Sequence, residues 1–145
     1  MSFRAAAWRQ RADFRAADGV LLVVELSVLS VRGVQAVLDT VEHVGREHNP
    51  TLDILGAVVN RAPAVSSEAD RQELEMERVL GANTLWRPFI PQRTVINEAV
   101  GMRCPVQDLG YRARDAIATF DTLYQHLTDV LPPPPDRYRS SSNVS

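Results

Sequence analysis

The fold is set by residues 16–61, which read AADGVLLVVELSVLSVRGVQAVLDTVEHVGREHNPTLDILGAVVNR. Two short, continuous apolar runs lie in this stretch, Val20–Val24 and Ile54–Val59. The first is rich in β-branched residues, and runs of this kind are typical of strands that are buried on both faces, as in parallel sheets. We therefore predict two buried strands of a mostly parallel sheet.

An amphipathic helix is predicted between these two strands. Its apolar residues recur at helical spacing and charged residues occupy the other faces; the apolar set is Val31, Val34, Leu38, Val41 and Val44. Ser27 and Ser30 are candidate N-caps. The helix should end before Asn49-Pro50, because the residue before a proline avoids the helical region.

The same alternation of strand and helix extends to both sides. On the amino-terminal side, an Arg- and Ala-rich segment predicts a helix over residues 4–18. On the other side, a loop at 61–67 precedes a predicted helix over 68–80. Ser67 and Asp70 are its candidate capping box, and Gly81 is expected to end it. A third strand is predicted over Thr84–Ile90, where Pro88 favours a bulge or an edge position. A short helix over 95–100, closed by Gly101, and a last helix over 112–131 follow.

Together these elements predict the fold class α/β, a mostly parallel sheet with flanking helices. Residues 1–131 form the predicted domain, and the Pro- and Ser-rich residues 132–145 are predicted to be a disordered tail. Open sheets usually have roughly 4–6 strands. The three strands found here therefore predict a partial sheet.

Composition excludes several classes of protein. The chain has 145 residues, 45% of them hydrophobic and 23% charged, which is the balance of an ordinary globular protein. Its longest apolar run is far short of the about 20 residues that a membrane helix needs, and no signal peptide is evident. The single cysteine, Cys104, allows no intramolecular disulfide, so the cytoplasm is the expected compartment. A net charge of -2 argues against a protein that coats nucleic acid by bulk charge.

The basic residues have an unusual composition, because all sixteen are arginine and none is lysine. A Walker A loop uses a lysine as a mobile point charge on the β- and γ-phosphates of a nucleotide. The sequence therefore predicts that this chain alone has no Walker A site.

Three collinear segments carry a resemblance to a known family. They are the AADGVLLVVELSVLSVRGVQAVLDTVEHV, NPTLDILGAVVNR and FIPQRTVINEAVGMRCPVQDLG segments, which begin at residues 16, 49 and 89. In this order they resemble the later part of the ParA/MinD-family partitioning ATPases, and the match covers residues 16–127. The last segment is the most specific, since its EA…G…PV pattern follows a strand that ends in Ile-Pro.

The resemblance implies a P-loop-type doubly wound domain whose amino-terminal half is absent from this sequence. The Walker A loop, switch I and the Walker B strand of the family all precede the matched region. Family members bind ATP with Mg²⁺, dimerise around it and position plasmids, chromosomes or other cargo. Because those motifs are missing, we expect no ATP hydrolysis and no tight cofactor binding by this chain alone.

The resemblance also assigns candidate nucleotide-binding residues. Asn60 lies where family members place an adenine-binding Asn, and Pro91 and Gln92 lie where a loop packs against the adenine ring. The alternatives are an Asn that starts a turn after a strand and a simple loop after a strand. Glu25 directly follows the first strand and is a candidate for lining the same crevice; the alternative is a capping or solvated role.

Four arginines are candidates for nonspecific DNA binding by the same resemblance: Arg93, Arg103, Arg112 and Arg114. Such contacts need only positive charge near a surface. Glu98, Asp108 and Asp115 are interspersed with them, so a solvated face with ordinary ion pairs is the alternative. The three histidines have no zinc-site spacing, and no metal site is predicted.

Three hypotheses follow for the whole chain. It is part of a longer partitioning ATPase, or a non-enzymatic module that binds a full-length ParA-like partner or DNA, or an unrelated small α/β protein. The partners expected under the first two are a second copy of the chain, a full-length ParA-like ATPase and, as a further candidate, nonspecific DNA, with no membrane.

Overall fold

The computed structural model describes residues 13–131 of the chain. Along the chain the elements are β1 (Val20–Val24), α1 (Val28–Glu47), β2 (Ile54–Val59), α2 (Ser67–Leu80), β3 (Leu85–Trp86), α3 (Thr94–Met102), a 3₁₀ segment (Val106–Ala113) and α4 (Arg114–Val130). Of the helix predicted over residues 4–18, residues 13–18 are described; residues 13–16 are helical and residues 17 and 18 are not. The predicted tail at 132–145 lies outside the described residues.

The three strands form one parallel sheet in the order β1-β2-β3. β1 aligns with β2 from Val20 opposite Ile54 to Val24 opposite Val59, with a register shift after Val20. The predicted α/β class with a parallel sheet is therefore confirmed.

Helices cover both faces of the sheet, but to different extents. On one face, Val34, Val41 and Val44 of α1 and Met76 of α2 pack on alternate residues of the strands. On the opposite face, Val58 and Trp86 pack with Leu123 of α4, and Ile96 of α3 lies against this cluster. Successive side chains of a strand point to opposite faces, so the continuous apolar runs of β1 and β2 serve both layers.

The caps of the first two helices follow directly from local chemistry. Ser27 caps α1 as predicted, since its hydroxyl accepts a hydrogen bond from the backbone N–H of Ser30. The capping residue predicted for α2 is wrong by one position. Ser66, and not Ser67, has the extended backbone of an N-cap and accepts from the N–H of Ala69. Gly81 ends α2 as predicted, at a positive φ of 97°.

The third strand is much shorter than predicted. Only Leu85 and Trp86 form regular strand, paired with Ala57 and Val58 of β2. Pro88, which follows a cis peptide bond, has no N–H to donate to the ladder. Regular pairing therefore stops before it, and the predicted span of Thr84–Ile90 is wrong.

The last two helical regions also differ from their predicted bounds. α3 continues through Gly101 and ends at Met102. Arg103, the C-cap, adopts the left-handed conformation, and its backbone N–H donates to the carbonyls of Ala99 and Val100. The last α-helix begins at Arg114, two residues later than predicted, because the 3₁₀ segment precedes it.

Candidate functional site

The carboxyl ends of all three strands meet at one edge of the sheet, as parallel pairing requires. Glu25 follows β1, Asn60 follows β2, and the chain after β3 returns to this edge at Ile90. The N–H of Asn60 donates to the carbonyl of Val24 at 2.7 Å, which holds the first two strand ends together. Ligands of open α/β sheets bind in the crevice outside this edge.

Backbone hydrogen bonds continue the β2–β3 pairing beyond the regular strands. The N–H of Ile90 donates to Val59 at 2.8 Å, the N–H of Ala62 to Ile90 at 2.9 Å, and the N–H of Gln92 to Ala62 at 3.0 Å. Ala62 and Pro91 form a parallel bridge. The segment after β2 therefore runs beside the Ile90–Gln92 segment. This ladder brings Asn60 close to Pro91 and Gln92, which lie far from it in the sequence.

The side chains of these residues are open to a ligand. Asn60 and Pro91 are half-buried and Gln92 is exposed. Within residues 13–131 the amide of Asn60 makes no side-chain hydrogen bond, and the residue is only half-buried. An amide offers both a donor and an acceptor, which is what the edge of an adenine ring requires.

Arg61 is part of the same edge, and the sequence prediction placed it only in a loop. Its backbone has a positive φ of 54°, and its guanidinium lies 3.6 Å from the carboxylate of Glu25. The pair connects the ends of β1 and β2 across the crevice. Both side chains are more than half exposed, so the pair contributes little to stability. The signal available in the sequence was that both residues lie just beyond a buried strand.

The groups that a Walker A loop supplies to a triphosphate are not found in this sequence. The chain has no lysine, and it has no glycine-rich turn between a strand and a helix of the Walker A type. No group of three or more His, Cys, Asp or Glu side chains in the part of the chain that the structure describes could hold a metal ion.

The four candidate DNA-binding arginines lie around α3 and the start of α4. Arg93 precedes α3 and Arg103 ends it, and both are exposed. Arg112 pairs with Glu98 at 2.5 Å. Arg114 lies over the ring of Tyr111, at 4.6 Å from its centroid, and contacts Asp115 at 3.4 Å. Arg112 and Arg114 therefore already have partners within the chain.

A cavity of about 450 Å³ lies beside β3. It is lined by Trp86 of β3 and Arg87 just after it, by Glu77 of α2, and by His126 and Asp129 of α4. The Trp86 and His126 rings meet edge to face, with their centroids 5.8 Å apart. Arg87 forms ion pairs with Glu73 and Glu77, so its guanidinium already has partners within the chain.

No helix in the described part of the chain has both the length and the apolar content that crossing a bilayer requires.

Comparison with known proteins gives matches in structure only. No family model matches the chain, and no curated protein matches its sequence significantly. Among solved structures, Cyanothece McdA without nucleotide is similar at a TM-score of 0.70 and 22% identity, over 80% of this chain and 46% of McdA. The ATP complex of a single-substitution variant of Cyanothece McdA is similar at a TM-score of 0.70 and 21% identity, over 86% of this chain and 48% of that protein.

The chain thus spans just under half the length of these McdA structures. McdA is a ParA/MinD-family ATPase. The described chain, with its parallel sheet between helices, has a ParA/MinD-like fold.

Proposed function

We propose that the chain corresponds to the carboxy-terminal half of a ParA-type positioning ATPase and supplies the adenine side of its nucleotide site. The observation that carries this proposal is the backbone ladder that sets Asn60 beside Pro91 and Gln92 at the carboxyl edge of the sheet. The likeness to McdA, which was solved in an ATP complex, supports it.

In this proposal Asn60 recognises the adenine edge. Its amide donates to one ring nitrogen or accepts from the exocyclic amine, while the apolar surface of Pro91 and the stem of Gln92 lie against the ring. The Arg61–Glu25 pair borders the crevice on the β1 side. A purine without phosphates is therefore the smallest ligand that this edge should recognise.

Hydrolysis requires groups that this sequence does not contain. Phosphoryl transfer depends on a lysine and backbone cradle for the phosphates and on a carboxylate that holds Mg²⁺. A chain with the Walker motifs would have to supply them. We expect ATP turnover by the isolated protein to equal that of the blank; turnover proportional to protein concentration and lost on heating would contradict this.

Calorimetric titration with adenosine and with ATP tests the adenine site. We expect similar affinity for the two ligands, because the phosphates find no cradle. Asn60→Ala should weaken binding of both by about 1–3 kcal/mol, the cost of leaving a polar group without its partner. Gln125→Ala, an exposed amide on α4, is the matched control and should change nothing. ATP binding far tighter than adenosine binding would contradict the proposal, and so would an Asn60→Ala variant that binds adenosine as the native protein does.

We further propose a cytoplasmic location and a role in positioning DNA or other cargo together with a full-length ParA-like ATPase. Nonspecific DNA binding through Arg93 and Arg103 is part of this proposal. It predicts binding that weakens steeply as salt increases, since phosphate contacts release counterions. If the chain does not retard DNA in a gel even at low salt, this part of the proposal is wrong.

A further inference from the structure

Arg61 occupies a backbone position that suits glycine better than arginine. Its φ is 54°, in the left-handed region, where a residue with a long side chain is strained. The N–H of Asn60 donates to the end of β1, whereas the N–H of Ala62 donates to Ile90 on the β3 side. Along a regular strand these two residues would face the same neighbour, so the turn at Arg61 makes the switch. Glycine would make this turn without strain, and the arginine side chain is therefore the feature to explain.

The guanidinium of Arg61 and the carboxylate of Glu25 attract each other but do not saturate each other. Nη1 of Arg61 lies 3.6 Å from Oε1 of Glu25, which is longer than an N–H···O hydrogen bond of about 2.7–3.2 Å. The two side chains are 62% and 54% exposed. A carboxylate accepts several hydrogen bonds and a guanidinium donates several. Both groups therefore keep hydrogen-bonding capacity for a ligand in the crevice.

This pair lies beside the position proposed for the base. Asn60 directly precedes Arg61, and its N–H is bonded to the last residue of β1, which directly precedes Glu25. The Ile90–Gln92 segment lies on the other side of Asn60, along the β3 edge. A base held between Asn60 and this segment therefore has the Glu25–Arg61 pair on its β1 side. A group joined to the base on that side meets a carboxylate and a guanidinium.

We propose that Glu25 and Arg61 form a ribose subsite, which makes the chain select ribonucleosides over deoxyribonucleosides. The proposal rests on the adenine site proposed above and names what that site binds besides the base. The Glu25 carboxylate accepts hydrogen bonds from the 2′- and 3′-hydroxyls, since two hydroxyls on neighbouring carbons match the two oxygens of one carboxylate. Arg61 is a positioning residue, because its charge holds the carboxylate toward the crevice.

The charge of the pair favours a sugar over a phosphate as the group that it binds. Glu25 and Arg61 together carry no net charge, and a phosphate that approached Arg61 would also approach the Glu25 carboxylate. Sugar hydroxyls are neutral, and they can donate to the carboxylate. A hydrogen bond to an ionised acceptor is about twice as strong as one between neutral groups. The ribose hydroxyls should therefore contribute measurably to affinity.

Calorimetric titration of the native chain with adenosine, 2′-deoxyadenosine and adenine tests the proposal. We expect adenosine to bind about tenfold more tightly than 2′-deoxyadenosine, the factor for one hydrogen bond to a charged group. Glu25→Ala should remove this preference. Glu42→Ala is the matched control, because it breaks another exposed Glu–Arg pair, the one with Arg46 on α1 at 3.2 Å, and it should keep the native preference.

Arg61→Gly separates the positioning role from a structural one. Glycine adopts the left-handed conformation without strain, so this variant should unfold at the same urea concentration as the native chain or at a higher one. Its preference for adenosine over 2′-deoxyadenosine should nevertheless fall by about threefold, because the Glu25 carboxylate is no longer held by an exposed ion pair. An unchanged preference in Arg61→Gly would overturn the role assigned to Arg61.

The results distinguish the ribose subsite from the adenine site on which it rests. If the native chain binds adenosine and 2′-deoxyadenosine equally well, the ribose subsite is wrong and the adenine site stands. A preference that Glu25→Ala retains would also overturn the ribose subsite, because the hydroxyls would then be bound elsewhere. If neither adenine nor adenosine binds, both the adenine site and the ribose subsite are wrong.

Discussion

Gly56 of β2 and the indole of Trp86 in β3 approach each other very closely within the sheet. A Cβ at position 56 would lie 2.0 Å from Nε1 of Trp86, 2.4 Å from Cε2 and 2.8 Å from Cδ1. Carbon atoms in ordinary contact are about 3.5–4.0 Å apart. In a Gly56→Ala variant the indole would therefore have to move by roughly 1.5 Å or more, given the same contact distance.

Such a movement has a cost because Trp86 is only 8% exposed and packs with Val58, Ile90 and Leu123. Overpacking a filled core usually costs about 1–3 kcal/mol. If the ring were expelled, the loss would approach the about 3–5 kcal/mol seen when a buried tryptophan is truncated. We expect Gly56→Ala to lower the free energy of unfolding by about 2 kcal/mol, within the overpacking range.

Urea unfolding followed by circular dichroism measures this change. Fluorescence of Trp86 in a Trp8→Phe background reports whether the indole has become more exposed. Gly45→Ala on α1 is the control, because no atom lies within 4 Å of the added methyl. Alanine favours a helix over glycine by up to about 1 kcal/mol, so this variant should be as stable as the native chain or more stable. A Gly56→Ala variant with native stability and native fluorescence would refute the packing described for this sheet.

Two further predictions concern the helix that covers the first face of the sheet. Ser66→Ala should lower the free energy of unfolding by about 1 kcal/mol, because it removes the cap of α2. Ser67→Ala is the control and should change this free energy by less than about 0.5 kcal/mol. Equal effects of the two substitutions in urea unfolding would contradict the cap assignment. Met76→Ala should lower the free energy of unfolding by about 2–5 kcal/mol, because Met76 is fully buried. Met102→Ala, at a residue that is 66% exposed, should lower it little. Thermal unfolding of the two variants checks this, and similar melting temperatures would contradict the core described for the sheet.

The first two strands and α1 could be predicted because their signals are local. The VLLVV and ILGAVV runs and the valines at helical spacing carry their own periodicity, and a serine at the start of α1 provides its cap. The third strand could not be predicted in its length. Its pairing depends on contacts with β2, which the sequence does not display, and Pro88 interrupts the ladder.

The candidate site was only partly accessible from the sequence. Asn60, Pro91 and Gln92 were selected by the resemblance to a family, since nothing in their local pattern connects residues so far apart. Backbone N–H and C=O groups form the hydrogen bonds that join these segments, and every residue type except proline carries both groups. The residue types therefore do not reveal this pairing. Arg61 was missed for a similar reason, because its pairing with Glu25 follows from the register of β1 against β2.

The most direct test of the account is to map adenosine binding by amide chemical shifts on the ¹⁵N-labelled chain. We predict that the amide resonances of Asn60, Arg61, Ala62 and Gln92 shift together and saturate with a single dissociation constant. The resonance of the Trp86 indole N–H should not shift. An unchanged spectrum at millimolar adenosine, or shifts confined to Trp86 and His126 in the cavity beside β3, would contradict the assignment of the adenine site.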